Sequence, residues 1–361
     1  MSTNKKVSII GTVGLPACYG GFESLVQNLV DYQSKNISYS IYCSSMHYPE
    51  KNKKYKNASL NYIPLNANGI SSIFYDGLSL LHSWKKKNDV TLILGVSGCI
   101  FLPLFKLISK SKIITNIDGL EWKRNKWGKF TKYFLKLSER LAVKYSDIII
   151  SDNQAIADYV KNEYSIQSKV IAYGGDHVLT STINNNHSTN DNTLNNEDYY
   201  LSICRIEPEN NISLILDAFS KNNKKIKFIG NWQNSEYGRN LYNKYSQHEN
   251  IELISPIYDL TTLFKYRINC NGYIHGHSAG GTNPSLVEAM HIGKPILAFD
   301  CNFNRYSTDN KALYFSDSES LNNIIKFTST EDFIVNSKEM KKIASTQYTW
   351  TKIVSLYENL Y

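Results

Sequence analysis

Short apolar runs rich in β-branched residues recur along the chain, each bounded by polar or glycine punctuation and separated by stretches long enough for a helix. In the first half they are Val7 to Ile10, Tyr39 to Cys43, Val90 to Val96, Ile113 to Ile117, Asp147 to Ser151 and Val170 to Tyr173. In the second half they are Tyr199 to Cys204, Ile226 to Ile229, Ile251 to Ile254, Gly272 to Ile274, Pro295 to Phe299 and Ala312 to Phe315. Continuous apolar strands alternating with helices predict parallel sheets covered on both faces, hence an α/β chain with two doubly wound domains.

Between the halves, Thr180 to Asn196 holds seven asparagines among Ser and Thr and almost nothing apolar. It cannot bury a core and reads as an exposed linker, with a hinge near residue 178 and a cleft between the domains. The expected domains are residues 1–178 and 179–345. The tail from Thr346 to Tyr361 places Trp350, Ile353, Val354, Leu356, Tyr357 and Leu360 at helical spacing and reads as a cap on either domain, with packing back on the first as one outcome.

Length and composition narrow the function classes. With 361 residues, 42% apolar and 20% charged, this is a globular chain of two ordinary domains, neither disordered nor a small binding module. No run approaches the roughly 20 apolar residues that span a bilayer, and the start lacks the apolar core of a signal peptide, so a cytoplasmic protein is expected. Cys18, Cys43, Cys99, Cys204, Cys270 and Cys301 form no CxxC pair, so neither a zinc site nor a disulfide framework is signalled.

The net charge of +8 hides an asymmetry. Residues 1–175 hold 23 basic and 12 acidic groups, against 17 and 20 in the remainder. The excess concentrates between Lys106 and Lys144, where eleven basic side chains face Asp118, Glu121 and Glu139. Such a stripe attracts nucleic-acid phosphates, an anionic membrane face or a phosphorylated acceptor, or is a solvated helix face. Trp122 and Trp127, among Lys123, Arg124 and Lys126, read equally as headgroup anchors and as core or sugar-stacking rings.

Two glycine-rich segments carry the chemistry. The first strand runs into Gly11-Thr-Val-Gly14-Leu-Pro-Ala-Cys-Tyr-Gly20-Gly21-Phe-Glu23, followed by a helical pattern from Ser24 to Tyr32. Such a turn lets backbone N–H groups approach a phosphate at a helix N-terminus; the alternative is a turn that needs glycine only for its geometry. The spacing is neither GxGxxG nor GxxxxGK[ST], which disfavours a dinucleotide dehydrogenase and a P-loop ATPase. The second segment is His275-Gly-His277-Ser-Ala-Gly280-Gly281-Thr282-Asn283-Pro284-Ser285-Leu-Val-Glu288. Asn283 or Thr282 suits a helix cap and Pro284 the first helical position. Glu288, one turn in, is placed to accept hydrogen bonds from sugar hydroxyls, or is an ordinary solvated helix residue. His275 and His277 lack a third ligand at useful spacing, so no metal is expected.

These segments, together with Asp118-Gly-Leu-Glu-Trp-Lys-Arg124 and Arg205-Ile-Glu-Pro-Glu-Asn-Asn211, resemble the retaining GT-B glycosyltransferases of family four. The resemblance is closest to the bacterial rhamnosyltransferase branch that assembles capsules and O-antigens, and it covers nearly the whole chain. It implies two Rossmann-like domains facing a cleft, a nucleoside diphosphate sugar such as a dTDP- or UDP-sugar as substrate, no cofactor and no metal. It implies further that the C-terminal domain holds the donor. Arg205 matches the diphosphate-binding arginine; Gly281, Thr282, Asn283 and Ser285 match contacts to diphosphate or sugar; Glu288 matches the ribose glutamate. Tyr258 falls where the base is usually recognised, Gly20 and Gly21 would close over the phosphates, and Asp118 takes the place of a catalytic-site histidine. Two departures stand out: Asn210 lies at about the place of the usual lysine, and Gly280 replaces the first glutamate of the E-x7-E pair.

The expected activity is therefore transfer of a hexose, L-rhamnose from dTDP-L-rhamnose, to a polyprenyl-diphosphate-linked saccharide at the anionic inner membrane surface. Asp118 and Arg205 are the catalytic candidates. A nucleotide-sugar 2-epimerase of the same fold and a non-catalytic nucleotide-sugar-binding partner are the alternatives. Nucleic-acid binding is disfavoured because the glycine motifs supply no base-reading element.

Overall fold

The computed structural model describes residues 4–18, 20–123, 127–179 and 198–361. The expected linker at Thr180 to Asn196, and Arg124 and Lys126 of the basic stripe, lie outside the described residues. The chain divides into two compact units, residues 1–172 with 350–361, and residues 173–349.

The first unit runs β1 (Lys5–Ile10), α1 (Gly21–Asp31), β2 (Ile37–Ser44), β3 (Lys54–Tyr55), β4 (Ala58–Ile63), α2 (Ser71–Lys85), β5 (Val90–Leu94), α3 (Leu102–Ile108), β6 (Lys112–Asn116), α4 (Lys129–Tyr145), β7 (Ile148–Ser151), α5 (Gln154–Tyr164) and β8 (Lys169–Val170). Its eight strands are ordered β3-β4-β2-β1-β5-β6-β7-β8. All pair in parallel except the short β3, which is antiparallel to β4. The central strands are buried on both faces because helices cover both: Val7, Ile9, Ile10, Leu92 and Ile114 are fully buried. Right-handed crossovers place α2, α3, α4 and α5 on one face and α1 on the other. The hydrophobic pattern passes over β4 because Ala58-Ser-Leu-Asn-Tyr-Ile63 has no continuous apolar run; near the sheet edge, half-buried polar positions are tolerated.

The second unit runs β9 (Tyr199–Ile203), α6 (Ile212–Ser220), β10 (Lys225–Ile229), α7 (Glu236–Tyr245), β11 (Ile251–Ile254), α8 (Leu260–Asn269), β12 (Gly272–His275), α9 (Pro284–Ile292), β13 (Ile296–Phe299), α10 (Asn302–Ser307), β14 (Leu313–Phe315), α11 (Ser318–Phe327) and α12 (Thr330–Gln347). Its six strands are all parallel, in the order β11-β10-β9-β12-β13-β14. Ile215, Leu216, Phe219, Phe228, Ile274 and Leu297 form the centre of one apolar core. The last helix, α13 (Trp350–Glu358), belongs to the first unit. It buries Trp350, Ile353 and Tyr357 there, and the Tyr357 hydroxyl accepts a hydrogen bond from Asn116 Nδ2 at 2.8 Å.

Each sheet reverses its direction of winding once. In the first unit the reversal falls between β1 and β5, in the second between β9 and β12. The carboxyl ends of these strand pairs are where an open α/β sheet leaves a crevice for a ligand.

Candidate functional site

In the second unit the crevice is built from two loops. The loop after β9 carries Arg205 and runs through a 3-10 turn at Pro208–Asn210 into α6. The loop after β12 carries Gly276 to Asn283 and runs into α9. Asn211 Nδ2 donates to the Gly276 carbonyl at 2.8 Å, Ser278 donates through both N–H and hydroxyl to the Glu209 carbonyl, and His277 Nδ1 lies 2.8 Å from Asn210 Oδ1. A side chain at Gly276 would sit 2.1 Å from the Asn210 carbonyl oxygen, so only glycine permits this approach. Asn210, at the place of the usual lysine, is thus a buried tie between the loops rather than a replacement cation.

Arg205 stands at the rim, its side chain 47% exposed and its Nε 3.9 Å from Glu207 Oε2. Glu207 Oε2 and Glu209 Oε1, on the same loop, and His275 Nε2, on β12, are buried without a hydrogen-bond partner among the described residues. Buried polar atoms left so are uncommon, and each calls for an explanation such as a polar ligand or water that completes the bonding. Burial in an apolar setting, with His277 beside it, pushes the His275 pKa well down, so the ring is neutral.

At the head of α9 the expected cap is present: Asn283 Oδ1 accepts from the Ser285 N–H and hydroxyl at 3.0 and 2.8 Å, and Pro284 occupies the first helical position. Ser285 is further fixed by Tyr273, whose hydroxyl lies 3.0 Å from Ser285 Oγ and donates to the Ile203 carbonyl at 3.1 Å. This tie joins β9, β12 and α9 at one point. Gly280, with φ of +123°, turns the chain toward the cap, followed by Gly281 and the buried Thr282.

Glu288 faces away from water. Its Oε1 lies 3.2 Å from His177 Nε2, and its Oε2 accepts from Arg267 Nη2 on α8. Burial works to raise the Glu288 pKa, but the Arg267 charge and the His177 contact outweigh it and hold the carboxyl below its usual range. His177 and Arg267 escaped the sequence reading. The signal for His177 was the Gly174-Gly175 pair before it: a Cβ at Gly175 would meet the Glu288 backbone N at 2.9 Å. Arg267 sits inside an ordinary helix and carried no signal.

Tyr258 is 69% exposed in the loop after β11, two strands from β9 at the same sheet end. Arg205, Gly281, Thr282, Asn283 and Ser285 therefore gather at the β9/β12 reversal, with Glu288 one turn along α9 and Tyr258 farther out.

In the first unit, Gly20 and Gly21 start α1 beside the β1/β5 reversal, and Gly20 has φ of +122°. Glu23 is buried, and its Oε1 accepts from the Val13 N–H at 2.8 Å and the Thr12 hydroxyl at 3.0 Å. The glutamate of this motif thus braces the loop after β1. Tyr19 of the same loop lies outside the described residues. Asp118 follows β6, two strands from β1, in a left-handed conformation (φ +59°), its N–H donating to Asn116 Oδ1 at 3.0 Å. Asp76, also missed, lies under the turn after β5, buried and accepting from Ser97 Oγ at 2.6 Å; burial raises its pKa to about 7. Among the described residues no group of three His, Cys, Asp or Glu side chains could hold a metal ion, and no helix is long and apolar enough to cross a membrane.

Comparison with known proteins agrees with this geometry. Residues 4–176 match the family described as a domain of unknown function (DUF1972), and residues 185–342 match glycosyl transferases group 1. No curated protein matches the chain. Among solved structures, sucrose-phosphate synthase from Thermosynechococcus elongatus superposes with a TM-score of 0.80 at 13% identity, covering 99% of this chain and 98% of that one. Anabaena Alr3699/HepE in complex with UDP gives 0.74 at 12% identity, covering 99% of each. The α,α-trehalose 6-phosphate synthase of Burkholderia multivorans gives 0.72 at 10% identity, covering 99% and 96%. The fold is accordingly GT-B, and residues 185–342 are similar to glycosyl transferases group 1.

Proposed function

We propose that the protein transfers a hexosyl unit from a nucleoside diphosphate sugar to a saccharide hydroxyl, and that the donor is dTDP-L-rhamnose. The acceptor in this reading is a polyprenyl-diphosphate-linked oligosaccharide of bacterial surface polysaccharide synthesis, met at the anionic cytoplasmic face of the membrane. The observation that carries the reading is that Arg205, on the loop after β9, and the glycine turn into the capped head of α9 both stand at the β9/β12 reversal. That HepE is known in complex with UDP and with UDP-glucose supports a nucleotide sugar as the ligand.

The chemistry follows from charge. As the bond between sugar and diphosphate breaks, negative charge grows on the leaving phosphate, and a preformed field aimed at that point lowers the barrier. Arg205 would supply the full positive charge and the aligned peptide dipoles of α9 a partial one. The first-turn N–H groups are already taken, Ser285 by the Asn283 side chain and Leu286 and Val287 by the Asn283 carbonyl, so the helix would act on the ligand through its dipole. Glu288, held ionised, would receive ribose hydroxyls, with His177 yielding one carboxylate oxygen. The reading takes the reaction as retaining and metal-independent, with a donor phosphate oxygen taking the acceptor proton and Asp118 orienting sugar or acceptor.

Thermal-shift titration with dTDP, UDP and GDP, and with their sugars, tests the proposal. Stabilisation by one nucleotide series, followed by transfer from its sugar to a lipid-linked acceptor, is the expected result. No shift with any of the three would remove it, and isomerisation of the donor sugar without acceptor would replace it with an epimerase.

A further inference from the structure

One helix layer of the first unit turns an apolar surface outward. Ile70 at the start of α2 is 80% exposed, with Phe74 and Leu78 following at helical spacing; Leu107 on α3 is 84% exposed, and Phe130 on α4 86%, with Tyr133 beside it. The three helices form one continuous layer, since α2 packs on α3 and α3 on α4. Trp84, at the end of α2, ties them further by donating its indole N–H to the Ile108 carbonyl at 2.8 Å. Large apolar side chains exposed on every helix of one layer mark an interaction face.

The charges around it select the partner. The three helices contain two carboxylates, Asp76 and Glu139, and both are 2% exposed. Lys85, Lys129, Arg140 and Lys144 on the same helices, and Lys110 just after α3, are exposed. The three helices themselves therefore offer water cations and apolar side chains, and the exposed Asp147 just after α4 is paired with Lys106 of α3 at 2.5 Å. Lysines take headgroup phosphates while Phe and Leu enter the acyl boundary, the division found on helices that lie in a membrane interface. A second copy fits poorly, because a two-fold contact would set lysines against lysines.

We propose that the α2–α3–α4 face docks the first unit on an anionic lipid bilayer. The inference deepens the reading above by assigning the membrane contact; its acceptor role rests on that reading, while the docking rests on the face alone. It also moves the contact away from Trp122 and Trp127, which the sequence offered as headgroup anchors. Trp122 donates to the buried Glu139 at 3.1 Å with Lys136 Nζ 4.6 Å from its ring centre, and Trp127 donates to Glu121 at 3.4 Å. Both indoles are engaged within the unit.

Flotation with vesicles of phosphatidylcholine alone or with phosphatidylglycerol at about one third tests this. The full chain should float with the anionic vesicles at low salt and stay behind with the neutral ones. Replacing Phe74, Leu107 and Phe130 by serine should weaken flotation about tenfold while leaving the melting temperature and nucleotide-induced shifts unchanged. Replacing Lys85, Lys110 and Lys129 by glutamine should remove the preference for anionic lipid. Equal recovery with both vesicle types, or unaltered flotation of the serine variant, overturns the proposal. So does a dimer in sedimentation that the serine variant dissolves, which assigns the face to a second copy. Flotation without any nucleotide shift would instead count against the transferase reading and leave the docking face standing.

Discussion

Arg267 on α8 and Glu288 on α9 form a buried pair, joined through Nη2 and Oε2, with side chains 7% and 14% exposed. A residue with no sequence signal thus sets the charge state of the candidate ribose ligand. Replacing Arg267 by methionine keeps most of its volume but leaves the carboxylate with only His177. The expected cost is about 3–5 kcal/mol, because a buried charge loses its partner. Adding Glu288→Gln should recover much of that cost. Urea unfolding of the second unit measures both, and a loss below about 1 kcal/mol in the single variant would show the pair to be unimportant for folding.

Arg205 behaves in the opposite way. It is half exposed, and Arg205→Ala should change stability by no more than about 0.5 kcal/mol. The same change should abolish the thermal shift caused by a nucleoside diphosphate. If the shift persists, the diphosphate lies elsewhere.

Gly276→Ala tests the junction of the two loops. The added methyl would meet the Asn210 carbonyl and the Ile215 side chain, so the β9 and β12 loops must separate. A destabilisation of about 1–3 kcal/mol is expected, with loss of nucleotide binding although position 276 lies behind the cation. Retention of full binding would mean that the spacing of these loops does not shape the site.

Asp76 predicts a pH effect in the first unit. Burial raises its folded pKa to about 7, above the value near 4 of an unfolded chain. Between those values the native state holds a proton that the unfolded state has lost, so stability falls as pH rises from about 4 to 7 and levels off above. Asp76→Asn should flatten this dependence and raise stability at pH 8 by on the order of a few kcal/mol. The Asn carbonyl oxygen can still accept from Ser97. Urea midpoints of the first unit at pH 5 and pH 8 decide it; an equal slope in both proteins would show Asp76 to be ionised throughout.

Much of this architecture was legible because parallel strands buried on both faces leave runs that are apolar but for a single small hydroxyl residue, as in Val7 to Ile10 with Ser8 and Val90 to Leu94 with Thr91. The Asn283 cap was legible because capping depends on residues adjacent in sequence. Strand β4, next to the sheet edge, was not, since partial exposure breaks the apolar run that marks a buried strand. The partners of Glu288 come from positions 177 and 267, brought to α9 by folding alone. Trp122 read equally as anchor or interior ring because a neighbouring cluster of lysines does not reveal that Glu139, a full helix away, holds the indole.

The position of α13 has a consequence for synthesis on the ribosome. The strand that begins at Lys5 belongs to a unit whose final helix spans Trp350–Glu358, and Asn116 waits for the Tyr357 hydroxyl. All of residues 173–349 must be translated before that helix emerges. The later-made unit can therefore mature first, while the earlier one stands open along one side until residues 350–358 have been made.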